Sequence, residues 1–346
     1  MRTMRFGILM ALFAMGCGGS KPASTPTPPP PPPKLPPSVV AVGGPTPVHD
    51  MPSSSAVSSD EVAKGMKALD AHDTAGAKAY AEAALKKNAQ DGEALALLGM
   101  VAERSNDKTG AEKAYKAALK QRPELEAASV NLSAIYVEGE KWDDAEKVCR
   151  GGLERHKENP LLHLNLAIAL AGKKDQAQST KEFDEAVRLA PNQPMPLLTY
   201  GQWLGQWNQT DAAVSKLRAA RALAADDVAT LAAVGHELLV LRAVSDCVPT
   251  FDKAIALKDA AELRTERGLC KLGAKDKAGA LIDFQSAVSK EPSYPLAHYW
   301  LGGLYAQAGK GKDAQTEFDT YLRLAPTGPK AQAAKDALAK LKAAKK

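Results

Sequence analysis

From residue 58 onward the chain repeats itself every 34 residues, and this period constrains its fold more than any other feature. One unit carries Leu98-Gly99, Ala111, Tyr115, Ala118 and Pro123. The same punctuation returns at Leu166-Ala167, Phe183, Ala186 and Pro191, and again at Leu301-Gly302, Tyr305, Ala314, Phe318 and Pro326. The units fall at 58–91, 92–125, 126–159, 160–193, 194–227, 228–260, 261–294 and 295–328, with 228–260 one residue short. Each unit reads as two apolar-periodic segments joined by a turn such as Asn106-Asp107-Lys108 or Gly139-Glu140-Lys141. Small residues at Gly99 and Ala111 let two helices approach closely, Ala118 does the same toward the next pair, and the prolines stop the second helix. A single helix pair cannot bury its own faces, so the units must stack into a continuous core. The expectation is an all-α chain with two helices per unit and no strands over 58–328. Residues 329–346, with Ala334, Leu338 and Leu341 on one side, are expected to form a basic capping helix and tail.

The order of a Leu-Gly step, an aromatic, an alanine, a second aromatic, a second alanine and a closing proline resembles the tetratricopeptide repeat. Two departures stand out. The first unit keeps Gly65, Ala77 and Ala84 but lacks the aromatic and the proline, and Cys149 stands where an aromatic usually packs. The resemblance implies a right-handed solenoid of about eight helix pairs that binds proteins and carries no catalytic site. In this family the first helices line a groove for extended or helical peptides. The matching positions here are mostly apolar: Met100, Val130, Ala134, Val137, Leu161, Leu164 and Ile168. Asn131 and Asn165 match isolated asparagines of the family's carboxylate clamp, but the lysine partners are missing. An apolar groove for an amphipathic or extended partner segment is therefore expected. The alternative is that tight curvature already buries some of these side chains.

Residues 1–16 read as an export signal. Arg2 and Arg5 precede a ten-residue apolar run, Phe6–Met15, which is too short to span a bilayer. The run ends in Ala14-Met15-Gly16-Cys17, which resembles the bacterial lipobox and implies a lipid on Cys17; an ordinary secretory signal is the alternative. Thirteen of the 23 prolines lie between Gly18 and Val57, six of them consecutive at Pro28–Pro33. Proline fixes φ and lacks an N–H, so residues 17–57 are expected to be a disordered, extended linker reaching at most roughly 120 Å at ~3.1 Å per residue. A spacer is the simpler reading, and a docking motif is the alternative. Gly18, where aspartate is the inner-membrane retention signal in some bacteria, favours the outer membrane, with the repeats in the periplasm.

Charge and motif content exclude several functions. The net +5 sits in the leader and the tail, and 58–328 carries −3, so the body is not a basic nucleic-acid binder. There is no G-x-x-x-x-G-K-[ST], G-x-S-x-G, G-x-G-x-x-G or H-E-x-x-H, and no two histidines stand three or four apart on a helix. No enzyme activity, cofactor, metal or small-molecule substrate is therefore expected. The functional expectation is a lipid-anchored envelope scaffold that binds a protein partner, in assembly of a secretin, pilus, motility or secretion machine. The alternatives are a regulator that activates a cell-wall enzyme and an enzyme with an unrecognised site.

Within the repeat frame, Cys247 falls early in the second helix of one unit and Cys270 late in the first helix of the next. These helices should run antiparallel and adjacent, and an exported protein meets an oxidising compartment, so the pair is a possible disulfide. The alternative is two small core residues. Cys149, about three units away, is expected to remain a buried free thiol.

Overall fold

The computed structural model describes residues 59–343. The expectations for the signal segment, for Cys17 and for the linker to residue 57 lie outside the described residues.

The described chain is all-α, with seventeen helices and no strand among the described residues. In chain order the helices are α1 (Asp60–Asp70), α2 (Thr74–Lys87), α3 (Gly92–Arg104), α4 (Lys108–Gln121), α5 (Glu126–Glu138) and α6 (Trp142–Leu153). There follow α7 (Pro160–Gly172), α8 (Gln176–Leu189), α9 (Pro194–Gln206), α10 (Thr210–Leu223), α11 (Val228–Val240) and α12 (Val244–Leu257). The last are α13 (Ala261–Gly273), α14 (Lys277–Lys290), α15 (Pro295–Gln307), α16 (Gly311–Leu324) and α17 (Ala331–Ala343).

Local chemistry sets these boundaries. Pro160, Pro194 and Pro295 open first helices, where the missing N–H costs nothing. Asp107, Asp175 and Asp276 cap second helices by accepting from the backbone N–H three residues on, at 2.8, 3.1 and 2.8 Å. Inside each pair the first helix ends in a left-handed residue: His72, Asn106, Glu140, Lys174, Asn208, Arg242 and Lys275 have φ between 55° and 67°, and Gly309 has 72°. That conformation returns the chain within three residues, and only Gly309 adopts it without a Cβ penalty.

The helices form two compact units, residues 59–122 with 134–141, and residues 123–133 with 142–343. In the first, Val62, Leu69, Ala77, Ala81, Leu97 and Val101 make the core across α1 to α3. In the second, Leu198, Leu217, Leu231, Val234, Leu238 and Phe251 belong to one apolar cluster, each side chain contributing roughly 1.5–3 kcal/mol on burial. Close packing needs small residues: a Cβ on Gly235 would sit 2.7 Å from the Phe251 ring. At the C-terminal end, Ala331, Ala334 and Leu338 of α17 cover Ala314, Phe318 and Tyr321 of α16, so α17 caps the second unit.

Candidate protein-binding surface

The first helix of each pair positions the residues expected to line a groove. In the first unit Met100 is half-buried, whereas Ala134 and Val137 are buried. In the second unit Leu161 is half-buried, whereas Val130, Leu164 and Ile168 are buried, Leu164 at 1% exposure. The five buried side chains offer no open apolar surface, so the burial weighed as the alternative describes them. Asn165 is also turned inward: its Nδ2 donates to the Val130 carbonyl at 3.2 Å and to Ser133 Oγ at 2.9 Å. An asparagine used in this way supports packing and does not reach a partner.

The same helix layer becomes polar further along the second unit. On α9, Gln202 is 4% exposed and donates its Nε2 to Glu237 Oε1 of α11 at 3.0 Å. Burial raises the Glu237 carboxyl above the usual carboxylate range, against the lowering effects of Gln202 and His236. Next to Glu237, His236 lies 3.4 Å from Glu266 of α13. The Glu266 contact, opposed by burial and aided by Glu237 and Glu262, raises the imidazole above its ordinary value. Tyr294 is raised by burial and by Glu262 and Glu266. A line of polar and acidic groups therefore crosses three successive first helices. The apolar residues at these places in the earlier units give no sign of it. Carrying the same repeat alignment forward reveals it, because Gln202 and His236 occupy the place that Ile168 holds in its own unit.

The three cysteines of the repeats and two of the histidines are structural. Cys247 and Cys270 are joined in a disulfide between α12 and α13, with Cα atoms 5.9 Å apart, inside the range a bridge allows. Cys149 is a buried free thiol whose pKa burial pushes up to about 12, which leaves it inert. His163 and His298 each hold a glutamate of the following helix and a loop carbonyl. For His163 these are Glu182 at 2.6 Å and the Lys157 carbonyl at 2.9 Å. For His298 they are Glu317 at 2.6 Å and the Pro292 carbonyl at 2.9 Å. Among the described residues no group of His, Cys, Asp and Glu is placed to hold a metal ion, and no helix is long and apolar enough to cross a membrane.

Comparison with known proteins agrees with this architecture. Residues 62–126 and 132–194 match one tetratricopeptide-repeat family model and 271–341 match another, together more than half of the chain. The chain is 34% identical over 86 residues to serine/threonine-protein phosphatase T of Trypanosoma brucei brucei, which covers 25% of this chain and 18% of that protein. The chain thus spans under a fifth of that relative's length. Among solved structures, yeast Tom70 superposes with a TM-score of 0.57 at 16% identity, covering 89% of this chain and 69% of that one. A tetratricopeptide repeat protein from Parabacteroides merdae superposes with a TM-score of 0.50 at 17% identity, covering 70% of this chain and 96% of that one. These likenesses establish the fold.

Proposed function

The chain belongs to the tetratricopeptide-repeat family, and on that premise we propose that it is a lipid-anchored envelope scaffold that binds another protein. Folds of this kind are generally non-catalytic scaffolds for protein–protein interaction. The observation that carries the binding reading is the first-helix layer itself. It keeps Met100 partly accessible in the first compact unit and Leu161, His236 and Glu266 partly accessible in the second, while the helix pairs of each unit pack on their own core. The anchor rests on sequence: an apolar run ending in Ala14-Met15-Gly16-Cys17, then a proline-rich stretch long enough to hold the repeats away from a membrane. In this reading Cys17 is acylated, the outer membrane holds the lipid, and the repeats face the periplasm. There they bring a partner to an envelope complex such as a secretin, pilus, motility or secretion machine.

Two measurements test this reading. Cys17→Ser should move the protein from the membrane fraction to the soluble fraction; retention in the membrane with native Cys17 unmodified contradicts the anchor. Affinity capture of the mature protein from solubilised envelopes should yield a discrete protein that captures it reciprocally when tagged. A purified chain that turns over a substrate and has no reciprocal partner contradicts the scaffold.

A further inference from the structure

The second unit leaves a buried acceptor beside a half-buried carboxylate that no described lysine or arginine meets. The Oε1 of Gln202 has no hydrogen-bond partner, and neither do Thr199 Oγ1 and Trp203 Nε1 on the same helix. Its Nε2 is committed to Glu237, so the free carbonyl oxygen stands beside that carboxylate. No lysine or arginine pairs with Glu237 among the described residues, and His236 is the charged neighbour that favours its ionised form.

Other carboxylates between helices of the same unit are matched. Asp246 meets Arg218 at 2.7 Å and Arg221 at 3.7 Å. Asp283, fully buried, meets Arg267, Lys271 at 2.8 Å and Arg264 at 3.8 Å. From Glu237 the acidic line continues through His236 to Glu266 and Glu262 on α13.

Leaving a buried acceptor unsatisfied is unfavourable, and a partly desolvated carboxylate with only an imidazole beside it is incompletely compensated. One group relieves both deficits. A guanidinium has five donors, no acceptor and a permanent charge, and it spans two neighbouring acceptors where an ammonium reaches one point.

We propose that the line of Gln202, Glu237 and Glu266 across α9, α11 and α13 binds an arginine side chain of the partner protein. The inference rests on the scaffold reading and specifies the partner's chemistry. A partner carboxylate is the wrong charge for this site, because it would meet Glu237 and Glu266.

The test uses the full chain and two probes, N-acetyl-arginine methylamide and its uncharged citrulline counterpart. Arginine amide should shift the Gln202 side-chain amide resonance, and citrulline should bind at least ten-fold more weakly. Glu237→Gln and, separately, Glu266→Gln should each weaken arginine binding without lowering helicity. Equal binding of the two probes, or arginine binding unchanged in both folded variants, overturns the proposal. A resonance moved by neither probe means that water alone meets the unpaired atoms, and that also overturns it. A twelve-residue display library selected on the same protein separates the two levels of inference. Binders rich in arginine and lost in Glu237→Gln support the site. Binders without arginine and indifferent to that change overturn the site and leave the scaffold standing, whereas a chain that selects no peptide contradicts the scaffold itself.

Discussion

The imidazole Nδ1 of His298 lies 2.6 Å from the carboxylate of Glu317, and its Nε2 lies 2.9 Å from the Pro292 carbonyl. His163 repeats this arrangement with Glu182 and Lys157, so the contact is a feature of the unit and not of one site. Both ring nitrogens face acceptors, which favours the imidazolium. Burial pushes each imidazole down, and the glutamate and carbonyl contacts outweigh it, so both pKa values end above the ordinary histidine value.

A group whose folded pKa is raised contributes fully below its unfolded value, about 6.5 for histidine, and loses that contribution as pH rises through the folded pKa. The melting temperature should therefore fall between pH 6 and pH 8.5. In the His163→Asn/His298→Asn double variant this part of the fall should disappear, and thermal unfolding followed by circular dichroism reads it. An equally steep fall in the double variant counts against the assignment.

Glu103 gives a separate pH signature. Burial raises its carboxyl to about 7, against the hydrogen bond from the Tyr115 hydroxyl and with Glu138 adding to the rise. The unfolded chain gives up this proton near pH 4.5, so stability falls from there to about pH 7 and then stays level; the penalty is about 2–4 kcal/mol at 1.36 kcal/mol per pKa unit. Glu103→Gln keeps an acceptor for Tyr115 and removes the charge. It should stabilise the protein at pH 8.5 and change little at pH 4.5, as measured by urea unfolding at both values.

Helix pairing could be read from the sequence because small residues, aromatics and prolines recur at fixed places in a 34-residue frame, and each has a packing reason to be there. The height match of Cys247 and Cys270 followed from the same frame. Other features left no local signal. Leu164 and Ile168 look the same in sequence whether an apolar face is open or covered, and only the packed neighbours decide that it is covered. The Gln202–Glu237 contact joins residues 35 apart, and His163–Glu182 residues 19 apart, so each depends on where two helices meet. The left-handed conformation of Lys174 was equally hidden, because lysine has no preference for it.

That conformation yields a stability prediction. Lys174 is exposed, with φ 67°, in the place where Gly309 stands in the last unit. Lys174→Gly should stabilise by about 0.5–1 kcal/mol, since removing the Cβ penalty exceeds the entropy cost of a glycine. Gly309→Ala should destabilise by about 1 kcal/mol for the same reason. Denaturant midpoints at unchanged slope check both.

The disulfide predicts a thiol count and an energy. Unfolded without reductant, the protein should expose the thiol of Cys149 and none from Cys247 or Cys270; free thiols at all three would reject the bridge. Replacing both cysteines by alanine should cost roughly 3 kcal/mol on the chain-entropy model for a separation of 23 residues. Differential alkylation and urea unfolding give the two readings.

Site-specific photo-cross-linking in intact cells tests the central claim most directly. A photoreactive residue is placed in turn at Leu161, His236 and Glu266 on first helices, and at Ile282, which is exposed on the second helix α14. The scaffold account predicts one discrete protein adduct from the first-helix positions and none from Ile282. Adducts of equal yield from Ile282, or no protein adduct from any first-helix position, would contradict it.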